Sequence, residues 1–135
     1  MASEPAISAE AAHQVVTADV QSAEAPLVLR HDDCFGVFNE IGDIDAEART
    51  EAGLYRAGVR HLSRLTLSIA SLRPLLLAAN ARDDNVLLTF NLTNPDVRGE
   101  GGRIILPRGT LFITRARFIW NGVCHELLRV RNFAL

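Results

Sequence analysis

Residues 110–132 read TLFITRARFIWNGVCHELLRVRN, two long apolar-rich runs on either side of Asn121-Gly122. Asn-Gly in that setting is a strong local signature of a two-residue hairpin, because a type I′ turn needs positive φ at both central positions. The stretch therefore predicts a hairpin of Thr110–Trp120 with Val123–Asn132. A two-residue loop also fixes the register. Trp120 faces Val123, Phe118 faces His125, Arg117 faces Glu126 and Ala116 faces Leu127. On that reading Arg117–Glu126 is a cross-strand ion pair, worth at most about 0.2–1 kcal/mol.

The same patterns recur toward the N-terminus. Val86, Leu88, Phe90 and Leu92 alternate with Leu87, Thr89 and Asn91, the period of a strand with one buried face. Asn94-Pro95-Asp96 stops it. Arg98–Gly102 is a glycine-rich loop, and Ile104–Leu106 is a short strand ended by Pro107. Leu65–Ile69 alternates too, and the apolar run Pro74–Ala79 is predicted to return beside it through Ala70–Arg73. Leu27–His31 and Cys34–Asn39 have the short, partly β-branched composition of strands. Asp32-Asp33 and Asn39–Asp43 carry turn chemistry, and Ala46–Ala52 reads as a loop. Many short strands and almost no amphipathic helix predict an all-β fold, an antiparallel β-sandwich. Leu135 follows the last strand directly, so the sandwich is expected to be incomplete and to leave that strand an unpaired edge.

The chain has 135 residues, the size of one domain. Residues 1–26 are rich in Ala, Glu, Ser and Gln and hold few large apolar side chains. They are expected to form a disordered acidic tail, with a frayed helix near Ala9–Val20. Residues 27–135 form the folded unit. Charge is unevenly spread: residues 1–51 carry 11 acids against 2 arginines, and residues 52–135 carry 5 acids against 12 arginines. The arginines are scattered and aromatics make up 6%, so the pattern does not point to a nucleic-acid surface. No run of about 18 apolar residues exists, which argues against a membrane-spanning helix. The N-terminus has no basic, apolar leader, and two cysteines do not make a disulfide scaffold, so a cytoplasmic location is expected.

The chemistry-bearing residues give weak signals. Asp32-Asp33 and Asp83-Asp84 are adjacent pairs, and neighbours in an extended segment point to opposite faces. A glycosidase needs two carboxyls across the scissile bond, so only a meeting of Asp33 with Asp83 would serve. Asp43 and Asp45 lack the spacing of a calcium loop and read as a solvated turn. Cys34, His61, Cys124 and His125 show no zinc-site spacing. No metal or cofactor is expected. Sugar binding calls for an aromatic face beside hydroxyl-binding side chains. Tyr55 and Trp120 supply the first, and Arg82, Asp83, Asp84 and Asn85 the second. Trp120 is expected mainly to pack under the hairpin.

Several runs together carry a family resemblance. They are Gly53-Leu54-Tyr55, Arg60, Leu62-Ser63-Arg64-Leu65, Arg73-Pro74-Leu75-Leu76-Leu77, Arg82-Asp83-Asp84-Asn85 and Leu92-Thr93-Asn94-Pro95-Asp96. Leu106–Leu111, Arg117-Phe118, Trp120–Cys124 and Arg129–Phe133 continue the series. In order and spacing the stretch 27–133 resembles the N-terminal domain of bacterial amylo-α-1,6-glucosidases, the glycogen debranching enzyme-like proteins. The resemblance implies a β-sandwich that supports, and does not contain, the catalytic helical toroid. It also implies a sandwich that continues beyond Asn132 in other members. In the family an acidic residue stands between Tyr55 and Arg60, where this chain has Gly58-Val59. The expected function is a non-catalytic N-terminal domain that packs on the toroid and shapes an α-glucan cleft; the alternative is a free-standing carbohydrate-binding module. The expected contact residues are Tyr55, Arg60, Arg64, Arg82, Asp83, Asp84, Asn85 and Trp120, and none is expected to be catalytic.

Overall fold

A computed structural model of the chain describes residues 25–82 and 84–135. The expected tail lies, except for Ala25 and Pro26, outside the described residues. Twelve strands follow: β1 Leu27–His31, β2 Cys34–Phe38, β3 Ile44–Asp45, β4 Gly53–Arg56, β5 Val59–Leu62, β6 Arg64–Leu65, β7 Leu75–Ala81, β8 Leu87–Thr93, β9 Val97–Arg98, β10 Ile104–Leu106, β11 Leu111–Trp120 and β12 Val123–Asn132. Two four-stranded antiparallel sheets dominate, ordered β1-β2-β4-β5 and β12-β11-β8-β7; β3-β6 and β9-β10 are small ribbons. The fold is all-β, as its sequence pattern predicts.

The hairpin forms in the expected register: Trp120 pairs Val123, Phe118 pairs His125, Arg117 pairs Glu126 and Ala116 pairs Leu127. Its turn has φ of +49° at Asn121 and +74° at Gly122, the left-handed pair that Asn-Gly tolerates. β8 buries Leu88, Phe90 and Leu92 against Leu29, Cys34 and Phe38 of the facing sheet. Ile113 and Ile119 of β11 join them, with Ile41, Ile44 and Ala52 from the connections.

Two expectations are corrected. Leu65–Ile69 is not one strand: only Leu65 joins a ladder, in β6, and Ile69 makes a lone bridge to Leu72. Its alternation survives because Leu67 and Ile69 pack on the core from a loop. The Leu67 N–H is taken by the Asp43 carboxylate at 3.0 Å, not by a neighbouring strand. The run after Pro74 therefore does not return beside it; β7 pairs with β8 instead. The hairpin β4–β5, in a segment expected only to provide contact loops, turns at Ala57-Gly58 with φ of +48° and +78°.

A third correction concerns charge. On β11 the residues turned into the sandwich are Ile113, Arg115, Arg117 and Ile119, and both arginines are buried, with 1% and 0% exposure. Arg115 donates to the Ile41 carbonyl at 3.1 Å, to Asp43 at 2.6 Å and to Glu126. Arg117 donates to the Gly42 carbonyl and to the same Glu126 oxygen, and its guanidinium lies 4.7 Å from the Phe38 ring centre. Asp43 is thus buried, not a solvated turn residue. The Arg117–Glu126 pair forms across the strands in the expected register, with Arg117 buried under the loop 39–43 and the first sheet. Two guanidiniums face two carboxylates, so the cluster is neutral as a whole.

Burial pushes the Glu126 carboxyl up, but the hydrogen bond from Arg115 and the charges of Arg117 and Arg115 outweigh it and hold the group below its usual range. Burial and the neighbouring Arg115 lower Arg117, against the pull of Glu126. Because Glu126 is depressed in the folded state, its stabilisation is present above the unfolded carboxylate value of about 4.3 and is lost as pH falls through the lower folded value. Glu126→Gln is expected to lower stability at pH 7 by about 3–5 kcal/mol, since it leaves two buried guanidiniums short of a counter-charge. It should also flatten the loss of stability below about pH 4.3 relative to the parent. Urea unfolding monitored across pH 3–7 measures both.

Candidate functional site

One rung crosses all four strands of the first sheet. Arg30 of β1 pairs Phe35 of β2, Phe35 pairs Tyr55 of β4, and Tyr55 pairs Arg60 of β5. The Phe35 and Tyr55 rings stack with centroids 4.5 Å apart and planes 8° from parallel. Arg30 lies 5.2 Å from the Phe35 centroid and Arg60 lies 6.0 Å from that of Tyr55. The column is cation, ring, ring, cation. Cross-strand neighbours stand close enough for such stacking, and each guanidinium meets the electron-rich face of a ring. Both faces of the Tyr55 ring are thereby flanked. Its hydroxyl donates to the Glu51 carbonyl at 2.8 Å. Arg60 donates to the Thr50 and Ala52 carbonyls at 2.5 and 3.2 Å. A sugar ring stacks on an open aromatic face, which this column does not offer.

Two of the expected contact residues, Asn85 and Trp120, meet the end of β1. The β7–β8 turn docks there, with the Arg30 N–H donating to the Asn85 carbonyl at 2.9 Å. Arg82 and Asp84 pair within that turn at 3.0 Å, and Asn85 takes a left-handed φ of +55°. Asp83 lies outside the described residues. The Trp120 ring lies 4.2 Å from that of His31, beside Arg30, while the Asn121 N–H donates to His31 Nδ1 at 3.3 Å. Asn85 and Trp120 thus contact Arg30 or His31; Arg82 and Asp84 belong to the same turn as Asn85, and Tyr55 and Arg60 lie in β4 and β5, one and two strands beyond Phe35. Arg64 is not among them: it sits in β6 and pairs with Glu47 at 3.4 Å.

Trp120 does not pack under the hairpin. It is 55% exposed and stands on the outer face of β11. Phe118 stands beside it, also exposed, stacked on His125 at 4.5 Å and 14°. Trp120 thus has the more open ring of the two sugar-platform candidates.

A cavity of about 280 Å³ opens beneath the hairpin tip, lined by Cys34, Leu54, His61, Ile119 and Cys124 among others. Both thiols are free, and burial raises both above the ordinary thiol value, so neither is primed as a nucleophile. No group of three His, Cys, Asp or Glu among the described residues is placed to hold a metal ion. Asp33, a candidate carboxylate, accepts from the Cys34 thiol at 3.6 Å and lies 4.0 Å from Arg56.

Arg30, His31, Phe35 and Arg56 escape a reading of the sequence alone. They acquire their place only through strand pairing. The usable signal is Ala57-Gly58, two turn residues between Gly53–Arg56 and Val59–Leu62, which marks the β4–β5 hairpin and hence the Tyr55–Arg60 pair. Replacing Tyr55 by Leu keeps most of the apolar area but removes the stacked pair. The expected coupling of the two rings in a double-mutant cycle with Phe35→Leu is about 0.5–1.5 kcal/mol, read by chemical denaturation.

Comparison with curated proteins and with solved structures returned no match. Residues 29–135 match the model of a family described as the N-terminal domain of (some) glycogen debranching enzymes. That span covers nearly all the described residues and ends on the hairpin whose register the sequence fixes, so the chain belongs to this family of debranching-enzyme N-terminal domains.

Proposed function

We propose that this non-catalytic domain packs against the helical catalytic toroid of a glycogen debranching-type hydrolase and shapes the α-glucan cleft there. One observation carries the reading. Phe118, Trp120, Val123 and Leu127 form a contiguous apolar patch on the outer face of β11–β12, every member at least 41% exposed. Patches of this kind mark docking surfaces more often than solvent-facing walls. The family membership supports the identity of the partner, and the carboxylates Asp43 and Glu126 are both committed to arginines. No helix among the described residues is long and apolar enough to cross a membrane.

The exposed Trp120 ring favours a second reading, a module that binds α-glucan by itself. The two readings separate cleanly, because Trp120 is the chain's single tryptophan. Docking predicts that a debranching-enzyme toroid added in trans raises the melting temperature. The gain should approach about 2.7 kcal/mol at a hundredfold excess over the dissociation constant. Replacing Phe118 and Leu127 by Ser should abolish that gain. The binding module predicts that maltooligosaccharide quenches Trp120 fluorescence without the toroid; a flat titration to millimolar sugar removes it.

A further inference from the structure

We infer that His31 is a proton-controlled latch on the tip of the β11–β12 hairpin: neutral, it ties the tip to the first sheet, and protonated, it turns to Asp32 and releases the tip. Two hairpin turns, one from each main sheet, meet at this end of the sandwich: Asp32-Asp33 between β1 and β2, and Asn121-Gly122 between β11 and β12. His31 stands between them. Its Nδ1 accepts the Asn121 N–H at 3.3 Å and lies 3.6 Å from an Asp32 carboxylate oxygen. One nitrogen cannot serve both neighbours in a single protonation state. Neutral, with its hydrogen on Nε2, the ring offers Nδ1 as a lone pair to Asn121 and nothing to a carboxylate. Protonated, Nδ1 becomes a donor that suits Asp32 and confronts the Asn121 N–H with a hydrogen of its own. Imidazole is the side chain whose ordinary titration falls between about pH 5 and 8, so small changes in pH decide between the two partners.

The surroundings favour two distinct states. Among the described residues the Asn121–His31 bond is the one hydrogen bond from the hairpin turn to the first sheet. The His31 side chain is 16% exposed, with the Trp120 ring against it, whereas Asp32 is 79% exposed. The neutral state therefore keeps the imidazole covered, and the protonated state finds a solvated counter-charge beside it. The Asn121 N–H is at the surface, so water replaces the lost acceptor at little cost. The other charged groups nearby are already engaged. Asp33 lies 4.0 Å from Arg56, whose guanidinium runs beneath Gly122, where an added Cβ would stand 3.3 Å from it. Arg30 points to the opposite face of β1, and Arg82 and Asp84 pair with each other in the β7–β8 turn beside it. Cys34, which pairs His31 across the first hairpin, is buried and its thiol is pushed up, so it stays neutral in this range.

The latch bears on the exposed apolar patch because Trp120 belongs to it and Asn121 is the next residue. Releasing Asn121 loosens the backbone that presents the Trp120 ring, and it sets a charged imidazolium beside that ring in place of a neutral one. Covering a charge with an apolar partner surface is unfavourable. Acidification is therefore expected to weaken docking at the patch, a consequence that rests on the docking reading above. The latch itself does not rest on it, since both of its states are defined by His31, Asp32 and Asn121 within this chain.

The test uses the full chain, whose single tryptophan is Trp120, titrated from about pH 8 to about pH 5. Trp120 emission is expected to pass through one reversible transition. Protection of the Asn121 amide, measured against the free-peptide exchange rate at each pH, should fall about two- to tenfold across it. His31→Gln, which cannot titrate, is expected to abolish both changes. Asp32→Asn alters an exposed side chain and should leave the fold intact while moving the transition to lower pH, because the imidazolium loses its counter-charge. His125→Gln, beneath Phe118, should leave the transition where it is. No transition in the parent chain overturns the inference, as does one that survives His31→Gln, one that ignores Asp32→Asn, or one lost in His125→Gln. Docking is read separately. The melting gain from added toroid should shrink toward the acid end of the range in the parent and lose that dependence in His31→Gln; an equal gain at both ends overturns the consequence for docking. No gain at any pH removes the docking reading alone, because emission and amide protection need no toroid.

Discussion

The buried pair Arg115–Arg117 holds the two halves of this molecule together. Both guanidiniums reach from β11 across the sandwich to the loop between β2 and β3, where the carbonyls of Ile41 and Gly42 and the carboxylate of Asp43 receive them. Glu126, on the neighbouring strand, closes the cluster from the other side. The loop itself is shaped for this. Asn39 accepts the Ile41 and Asp43 N–H groups at 3.0 and 2.9 Å, and Gly42, at φ +86°, passes so close to the Phe90 ring that a side chain there would collide. Arginine suits the task where lysine would not, because its planar fork serves a carbonyl and a carboxylate at once. One proton donor, Nε of Arg117, is left without a partner, the sole buried side-chain nitrogen or oxygen of that kind among the described residues.

That cluster also explains which parts of the fold were legible in the sequence. The β11–β12 register followed from Asn121-Gly122 alone, because turn geometry is local. The β8 strand followed from an alternation in which the buried face is purely apolar. On β11 alternation misleads: the row Ile113, Arg115, Arg117, Ile119 is buried while Phe118 and Trp120 face outward. An arginine is buried only if its partners arrive, and apart from Glu126 across the hairpin those partners lie some seventy residues away in sequence. No local pattern contains them. Leu65–Ile69 shows the converse failure, since two apolar residues can alternate onto a core from a loop held by one carboxylate.

The candidate surface was readable residue by residue but not as an arrangement. Tyr55, Arg60, the β7–β8 turn and Trp120 are far apart in the chain; β1 meets the turn through Arg30 and Trp120 through His31, while Tyr55 and Arg60 lie across the first sheet in β4 and β5. Arg30 and His31 have ordinary sequence surroundings. The stacked rung Arg30–Phe35–Tyr55–Arg60 changes the chemistry expected of Tyr55. With Phe35 and Arg60 on its two sides, the ring stiffens the sheet and presents its edge. Trp120, expected to be structural, has the open face. Pairing partners, not residue type, decided which aromatic serves packing and which stays available.

The uneven charge of the sequence has a structural reading as well. The acidic first third and the basic remainder are set against each other within the fold: Glu40 with Arg73, Glu47 with Arg64, Asp33 with Arg56 and Asp43 with Arg115. Most of these pairs are exposed and individually worth little. Collectively they orient the connections of the first sheet against strands and loops contributed later in the chain, and they occupy arginines that composition alone would count as basic surface. Arg129 and Arg131 have no such pair among the described residues, and their strand is an edge of the second sheet there. Leu128 and Val130 of the same strand are exposed as well, so the unmatched charge and the apolar surface lie together on one strand.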